Sequence, residues 1–531
     1  MAFVTLLLVP IVTIVLYQLV FRRAPSPPKG LRAVPGPGGK VPLIGHAHLL
    51  KPTGSQRQFI EWANQYGELF SLQLGWENWV FLNSPAAVKE IMDKQSASTS
   101  GRPPMPVGAD IISGDMRFLL MTYSPRWRRL RAIVHKLLTP KASDTFKPSQ
   151  EFEAKQLLHD ILEDPENTYD HCRRYTTSVV MTSTYGRRIP KFDCEDTREI
   201  YGLMKDFTEN MPPTNGFLPD LVPPLAKLPT WLQWWRKPAL AMQKRQTAIW
   251  TKYWRTLRQQ METDTAPECF VKQFIETDYR TQDISEIQAA WVAGTMIEAG
   301  SETTSSTLNT ALKYLAAHPS AQARAAADLR DDTRSPTFAD EPALPYIRAI
   351  AKEVLRLRPI TSFGTPHYTT AGVTYGGYWI PPNTVVAINQ YALHHDPARF
   401  PDPDAFRPER YLAFPERAGV YAARADAEGR DHWSFGAGRR ICSGMHLAEN
   451  SLFVTLAKVL WAFEIVPRGE LDLSDAAFEP GVNTVPKRYV VDFRPRSAAR
   501  EEVVRREWET AAREGFWLGE RRVGVDGVVV G

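Results

Sequence analysis

Ten residues from 435 to 444, Phe-Gly-Ala-Gly-Arg-Arg-Ile-Cys-Ser-Gly, set one cysteine among small residues with an arginine two places before it. A thiolate is a strong, soft ligand for a transition metal. Glycines at 436, 438 and 444 let the backbone approach a flat cofactor and turn N–H groups toward the sulfur. The chemistry this suits is a haem iron held by Cys442, with Gly436 against the cofactor, Arg440 meeting a propionate and Phe435 shielding the sulfur from water. A helical run over 445–463 begins beside the cysteine, and the positive end of a helix stabilises a thiolate. Two other readings compete: a buried cysteine in a Gly-rich turn, and a catalytic thiol made acidic by Arg439, Arg440 and His446. The latter explains neither Phe435 nor the motifs that follow.

F-x-x-G-x-R-x-C-x-G resembles the haem-binding signature of the cytochrome P-450 family, matching it at every fixed position. Trp127 and Arg131 lie four apart on a helical stretch and therefore share a face. An indole N–H and a guanidinium suit a carboxylate, and this W-x-x-x-R resembles the family's propionate-binding helix. Residues 299–304, Ala-Gly-Ser-Glu-Thr-Thr, place an acid beside a hydroxyl, a pair able to relay protons, after small residues that leave room over a flat cofactor. The resemblance to the family's oxygen-binding motif implies catalytic roles for Glu302 and Thr303. The plainer reading is a Ser/Thr-rich turn bonding back to i−4 carbonyls.

Glu353 and Arg356 form E-x-x-R, by itself an ordinary i,i+3 pair. Residues 406–411, Phe-Arg-Pro-Glu-Arg-Tyr, resemble the segment that completes the family's Glu-Arg-Arg network, although Tyr411 stands where Phe or Trp is common. The resemblance implies that Glu353, Arg356 and Arg410 lock the chain behind the haem loop. It also places His367 where members carry a donor to the second propionate.

The elements that must hold these residues read mostly as helices. The longest pattern, 283–318, opens on a capping box of Asp283 and Glu286, carries an apolar stripe through Ile287, Ala290, Trp291, Gly294 and Ile297, and stops at Pro319. At 1.5 Å per residue it spans about 50 Å. Pro345 opens a second helix that Pro359 ends, and 373–380 reads as a hairpin turned at Gly376-Gly377. The loop 101–118, rich in Gly, Pro and Met, corresponds to the family loop that roofs the substrate pocket. The fold class expected is mainly α with small β-sheets, a cytochrome P-450 fold preceded by one N-terminal transmembrane helix.

Hydrophobic residues make up 43% of the 531, enough for a sizeable core, so the 42 prolines suggest helix stops and ordered turns rather than disorder. A net charge of +5 without a basic block argues against nucleic acid as a partner. Cys172, Cys194, Cys269 and Cys442 show no C-x-x-C spacing, which suggests neither zinc nor a disulfide framework. Residues 1–21 are apolar and uncharged over about the ~20 residues a membrane span requires. Arg22 and Arg23 then put the remainder on the cytoplasmic side. The organisation expected is a membrane anchor over 1–21, a Pro/Gly-rich hinge over 22–50, a catalytic domain over 51–495 and a charged tail over 496–531. Trp231, Trp234 and Trp235 beside Arg236 and Lys237 read equally as a shallow membrane contact or as core aromatics.

The resemblance implies a haem-dependent monooxygenase of the endoplasmic reticulum membrane. It would use O2, haem b and electrons from a separate NADPH–cytochrome P-450 reductase, because the stretch after Cys442 is too short for flavin domains. Arg126, Arg128, Arg129 and Lys136 lie where an acidic donor would be steered. The substrate expected is an apolar small molecule, and the stretch 101–162 resembles fungal members of secondary metabolism. A haem-thiolate isomerase or dehydratase needs no proton relay, and a membrane haem sensor needs no turnover.

Overall fold

Apolar residues recurring every three to four positions make most of the chain helical. The computed structural model describes residues 25–530 apart from 43, 52–53, 211–215, 480 and 482. The helices that organise the site are α1 (Ser55–Tyr66), α2 (Pro125–Leu137), α3 (Lys147–Glu163), α4 (Thr168–Tyr185), α5 (Glu195–Asn210), α6 (Arg236–Glu262), α7 (Glu286–Ala317), α8 (Pro345–Leu357), α9 (Met445–Ala462) and α10 (Ala498–Glu514). The expected membrane span at 1–21 lies outside the described residues. Among those described, no helix is long and apolar enough to cross a membrane.

α7 runs through the middle of the fold, packed chiefly on α4 and α6. Its 32 residues extend about 48 Å, and Trp291, Leu308, Leu312 and Leu315 along it are all buried. The start of this helix corrects the expected capping box. Ser285 is the N-cap, its hydroxyl accepting from the Gln288 N–H at 3.1 Å, whereas Asp283 sits two residues earlier with φ at +59°. A serine satisfies an orphan N–H as well as an aspartate does, and Ser285 directly precedes the first helical residue.

The strands are short. β1 (Arg32–Ala33), β2 (Leu69–Leu74), β3 (Glu77–Leu82), β4 (His367–Tyr368), β5 (Val373–Tyr375), β6 (Tyr378–Ile380) and β7 (Thr384–Ile388) form two mixed sheets, in the orders β2-β3-β7-β4 and β1-β6-β5. The β5–β6 hairpin turns at Gly376 and Gly377, with φ +55° and +77°, the positive pair that a two-residue hairpin of this hand requires. Part of the stretch expected as a hinge lies against the body: β1 pairs in parallel with β6, and the Ser71 N–H donates to the Pro35 carbonyl at 2.7 Å.

Residues after 495 fold back on the domain. α10 packs on α3, and the strands Phe516–Leu518, Arg521–Val523 and Val529–Val530 form a small sheet. Phe516, Leu518 and Val523 are buried with Phe146 and Phe152. Glu507 accepts from Ser335 N–H at 2.8 Å and from its hydroxyl at 2.5 Å, and the fully buried Lys458 donates to the same hydroxyl. Burial pushes the Lys458 ammonium down to about 8, with Glu507 opposing that shift.

Glu507→Ala should therefore lower stability by about 1–3 kcal/mol in thermal melts, since it strands a buried cation and a buried N–H. Lys458→Met in the same background should recover much of it, and an unchanged melting temperature in the single variant would contradict this account. Because the folded chain releases the Lys458 proton at about 8, below the ordinary 10.5, the unfolded state binds more protons between those values. Stability should rise with pH across that window, with a shallower slope in Lys458→Met.

Candidate active site

The loop before α9 is built around the cysteine. The Cys442 N–H donates to the Phe435 carbonyl at 2.9 Å, and the Gly438 N–H donates to Asp93 at 2.7 Å. Gly438 has φ +65°, and a Cβ there would stand 2.1 Å from the Met92 carbonyl oxygen, so no other residue fits. Phe435 packs against the main core cluster and lies 5.4 Å from the His432 ring. Cys442 is exposed, in contrast to Cys172 and Cys269, which are buried. Burial pushes its thiol up, while the Gly444 N–H, Arg131 and the Met445 N–H at the start of α9 pull it down.

Arg131 lies beside Cys442, in a group with Arg440 and Arg102. Arg440 donates to the carbonyls of Ser100 at 2.9 Å and Met121 at 2.7 Å, with its guanidinium 4.2 Å from the Trp127 ring. Arg131 donates to the Ser443 hydroxyl and the Ile441 carbonyl. Arg102 donates to the carbonyls of Leu119, Thr365 and Pro366. Among the described residues, the hydrogen bonds of all three go to carbonyls and one serine, none to a carboxylate. Burial, together with Arg102 and Arg131, pushes Arg440 down to about 8, and burial pushes Arg102 down to about 9.

His367 is buried, and burial together with Arg102 and Arg440 holds it neutral, its Nδ1 2.8 Å from the Thr99 carbonyl. Trp127 Nε1 is buried without a partner. Uncompensated buried cations and an orphaned N–H are costly unless an anion completes them. The two propionates of haem would supply that charge, so the residues present fit the group. Serine at 124 explains why Trp127 and Arg131 share one helix: it caps α2 by accepting from the Trp127 N–H at 3.1 Å, with Pro125 in the first turn.

On α7, Ala299 is exposed between the buried Ile297 and Ser301. One turn later the Thr303 hydroxyl donates to the Ala299 carbonyl at 2.6 Å, the back-bonded geometry that Ser301 and Thr307 also adopt. Glu302 is held on two sides: Asn483 donates to it at 2.9 Å, and Arg173 of α4 approaches to 3.8 Å. Behind the cysteine loop, Glu353 is fully buried and makes paired bonds to Arg356 at 2.7 and 2.8 Å. It also accepts from the Arg407 N–H at 2.8 Å and lies 3.4 Å from Arg410 Nε.

Sequence reasoning missed Arg102, Arg173, Asn483 and Asp93. None belongs to a recognisable motif, and Arg102 sits in a Gly/Pro loop read only as a roof. The tryptophan cluster divides: Trp231 and Trp234 are exposed, while Trp235 is buried against Val107, Ile112 and Ala239.

A family model described as cytochrome P450 matches residues 35–493. Cytochrome P450 monooxygenase pgmC of Aspergillus terreus is 40% identical over 94% of this chain and 93% of its own. Cytochrome P450 monooxygenase verL of Clonostachys rogersoniana is 36% identical over 92% of both chains. Cytochrome P450 monooxygenase virE of Hypocrea virens is 34% identical over 90% of this chain and 88% of its own.

Proposed function

The chain belongs to the cytochrome P450 family, and on that premise we propose that it inserts one oxygen atom from O2 into a largely apolar small molecule in a fungal secondary-metabolite pathway. It is a haem monooxygenase whose electrons come from a separate reductase. The bound haem supplies the dioxygen chemistry, and electron release from a cysteine ligand favours O–O cleavage. The observation that carries the reading is the exposed Cys442 thiol with Arg131 beside it, in a group with the half-buried Arg440 and the buried Arg102 in which, among the described residues, no arginine bonds a carboxylate.

The remaining work falls to the chain. Cys442 is the proposed ligand, with Gly436 and Phe435 closing the loop around it. Arg440, Arg131, Trp127 and His367 orient the cofactor through its propionates, and Arg102 joins them. Thr303 gives its hydrogen to the Ala299 carbonyl, which leaves its oxygen lone pairs to accept from a water. That water is then oriented to deliver protons drawn through Glu302.

Incubation with reductase, NADPH and isotopically labelled dioxygen, using aromatic polyketide, terpenoid and alkaloid probes, should give a product one labelled oxygen heavier. Turnover without NADPH, at unchanged mass or with loss of water, would favour an isomerase or dehydratase. Thr303→Ala should keep haem and NADPH consumption while most of the electrons emerge as hydrogen peroxide. Wild-type product per NADPH in that variant would remove Thr303 from the relay.

The apolar stretch 1–21 and the exposed Trp231 and Trp234 support attachment to the endoplasmic reticulum membrane with the catalytic body in the cytosol. Removing residues 1–23 should shift the protein toward the soluble fraction with haem retained. Full membrane retention would make the tryptophan segment the stronger anchor.

A further inference from the structure

Glu449 stands on α9 one turn past Met445, the first residue of the helix that follows the cysteine loop. Its side chain is 14% exposed, and its two oxygens are treated unequally. One accepts from the Ala418 N–H at 2.8 Å, at the start of the short helix Ala418–Ala423. The other, Oε2, is buried and, among the described residues, accepts no hydrogen bond. His446 Nδ1, also buried without a partner, lies 4.0 Å from it.

The cations that face this carboxyl are engaged elsewhere. Lys352 of α8 lies 2.9 Å from Asp431 and donates to the Phe414 and Glu416 carbonyls at 2.9 and 2.5 Å. Arg348 of the same helix lies 2.9 Å from Glu341. Arg417 lies 3.4 Å from Glu341 and 3.6 Å from Asp144, which Lys147 also approaches to 3.1 Å. Burial pushes His446 down, Arg417 and His135 add to that, and Asp144 opposes it, so the ring is kept neutral. Burial likewise pushes Glu449 up to about 7, with Asp431 adding to the shift and the Ala418 N–H, Lys352 and Arg417 opposing it. A buried carboxyl with one unmatched oxygen and no cation of its own takes a proton readily. Its charge also reaches the sulfur: burial raises the Cys442 thiol, and the Glu449 carboxylate raises it further.

We propose that Glu449 takes up a proton when the haem iron held by Cys442 is reduced, so that an electron from the reductase and a proton from solvent arrive together on this side of the cofactor. The inference rests on the proposed function, in which Cys442 ligates the iron. One electron turns the iron from ferric to ferrous, and one proton bonds to Glu449 Oε2, converting carboxylate to acid. The net charge around the sulfur is then unchanged. At a separation on the order of 10 Å and an effective dielectric constant of ~20, one added charge changes a proton affinity about tenfold. Glu449 acts through its charge and is a positioning residue for the reaction.

The test is a redox titration of the full-length haem protein at a series of pH values. The wild-type midpoint potential should fall as pH rises through an interval that begins at about 7, and level off on either side. A tenfold shift in proton affinity makes the total fall about 59 mV. Glu449→Gln keeps an acceptor for the Ala418 N–H and cannot ionise, so its potential should stay at the acidic limit of the wild type throughout. His446→Gln should keep the wild-type slope. The reduced-minus-oxidised infrared spectrum of the wild type within that interval should gain a protonated-carboxyl band that Glu449→Gln lacks.

A pH-independent potential in the wild type would overturn the proposal. So would a wild-type slope in Glu449→Gln, or loss of the slope in His446→Gln, which would place the proton on the imidazole. If Glu449→Gln fails to fold, the absence of a carboxyl band in the wild type would overturn it equally. A thiolate-type carbon monoxide spectrum with a flat potential removes this inference alone, whereas absence of that spectrum removes the functional reading and this inference with it.

Discussion

Cys442→Ser is expected to abolish the thiolate-type spectrum and to bring NADPH-dependent product formation below about one hundredth of wild type. Removing even an outer-shell partner of a metal ligand typically costs 10–100-fold. Serine matches cysteine in shape, so the Cys442 N–H bond to the Phe435 carbonyl and the start of α9 should survive. What changes is the donor. A serine hydroxyl is a hard, weakly acidic group, and the Gly444 and Met445 N–H groups and Arg131, which steady a thiolate, cannot ionise it near neutral pH. Haem should still be drawn in by the arginines, so content should fall less than activity. If the thiolate spectrum persists, Cys172, Cys194 or Cys269 must bind the iron, although Cys172 and Cys269 are buried in the cores.

Much of this site was legible in the sequence, for a physical reason. The proposed chemistry needs particular residue types at fixed offsets within one loop or one helix turn: Phe435, Gly436, Arg440 and Cys442 in one loop, Trp127 and Arg131 on one face, Glu302 beside Thr303. Prolines 345 and 359 and the Gly376-Gly377 turn likewise punctuated the chain because φ admits few alternatives there. Partners that arrive from elsewhere were not legible. Arg102 is remote from Cys442 in the chain and meets Arg440 only through the fold. Asn483 and Arg173 reach Glu302 from different segments, and nothing local marks them. Trp235 and its neighbour Trp234 share a composition and differ only in which side of the segment faces Val107, a tertiary fact. The segment after 495 is charged by composition, but the amphipathic pattern of Val504, Trp508, Ala511, Ala512 and Phe516 already marked it for packing on the domain, where Val504, Ala511 and Phe516 are buried. The Glu507 bond to Ser335 had no such local mark. An amphipathic helix takes its stability from the surface it covers.

Glu353→Ala is the second large effect expected, a loss of about 3–5 kcal/mol of stability with little haem retained on purification. Glu353 and Arg356 are both fully buried. Arg356 further donates to the carbonyls of His394 at 2.7 Å and Pro403 at 2.8 Å, and the Arg407 N–H rests on the Glu353 carboxylate. The pair therefore joins α8 to the segment that leads to the cysteine loop. Removing the carboxylate alone strands a guanidinium in the core, together with Arg410 and a backbone N–H. Glu353→Gln keeps acceptor geometry but loses charge, and should cost less. Replacing Glu353 and Arg356 together by methionine removes both charges, and should recover part of the stability that Glu353→Ala loses. Wild-type stability and haem content in Glu353→Ala would show that the network does not hold the loop.

The most direct test of the central claim is the absorption spectrum of the reduced, full-length protein under carbon monoxide. Thiolate ligation through Cys442 should place the Soret band at the strongly red-shifted position that only an anionic sulfur ligand produces, and Cys442→Ser should lose it. A folded, haem-loaded wild-type protein whose band instead lies where nitrogen or neutral ligands place it would contradict the assignment of Cys442, and with it the monooxygenase chemistry that depends on a thiolate ligand.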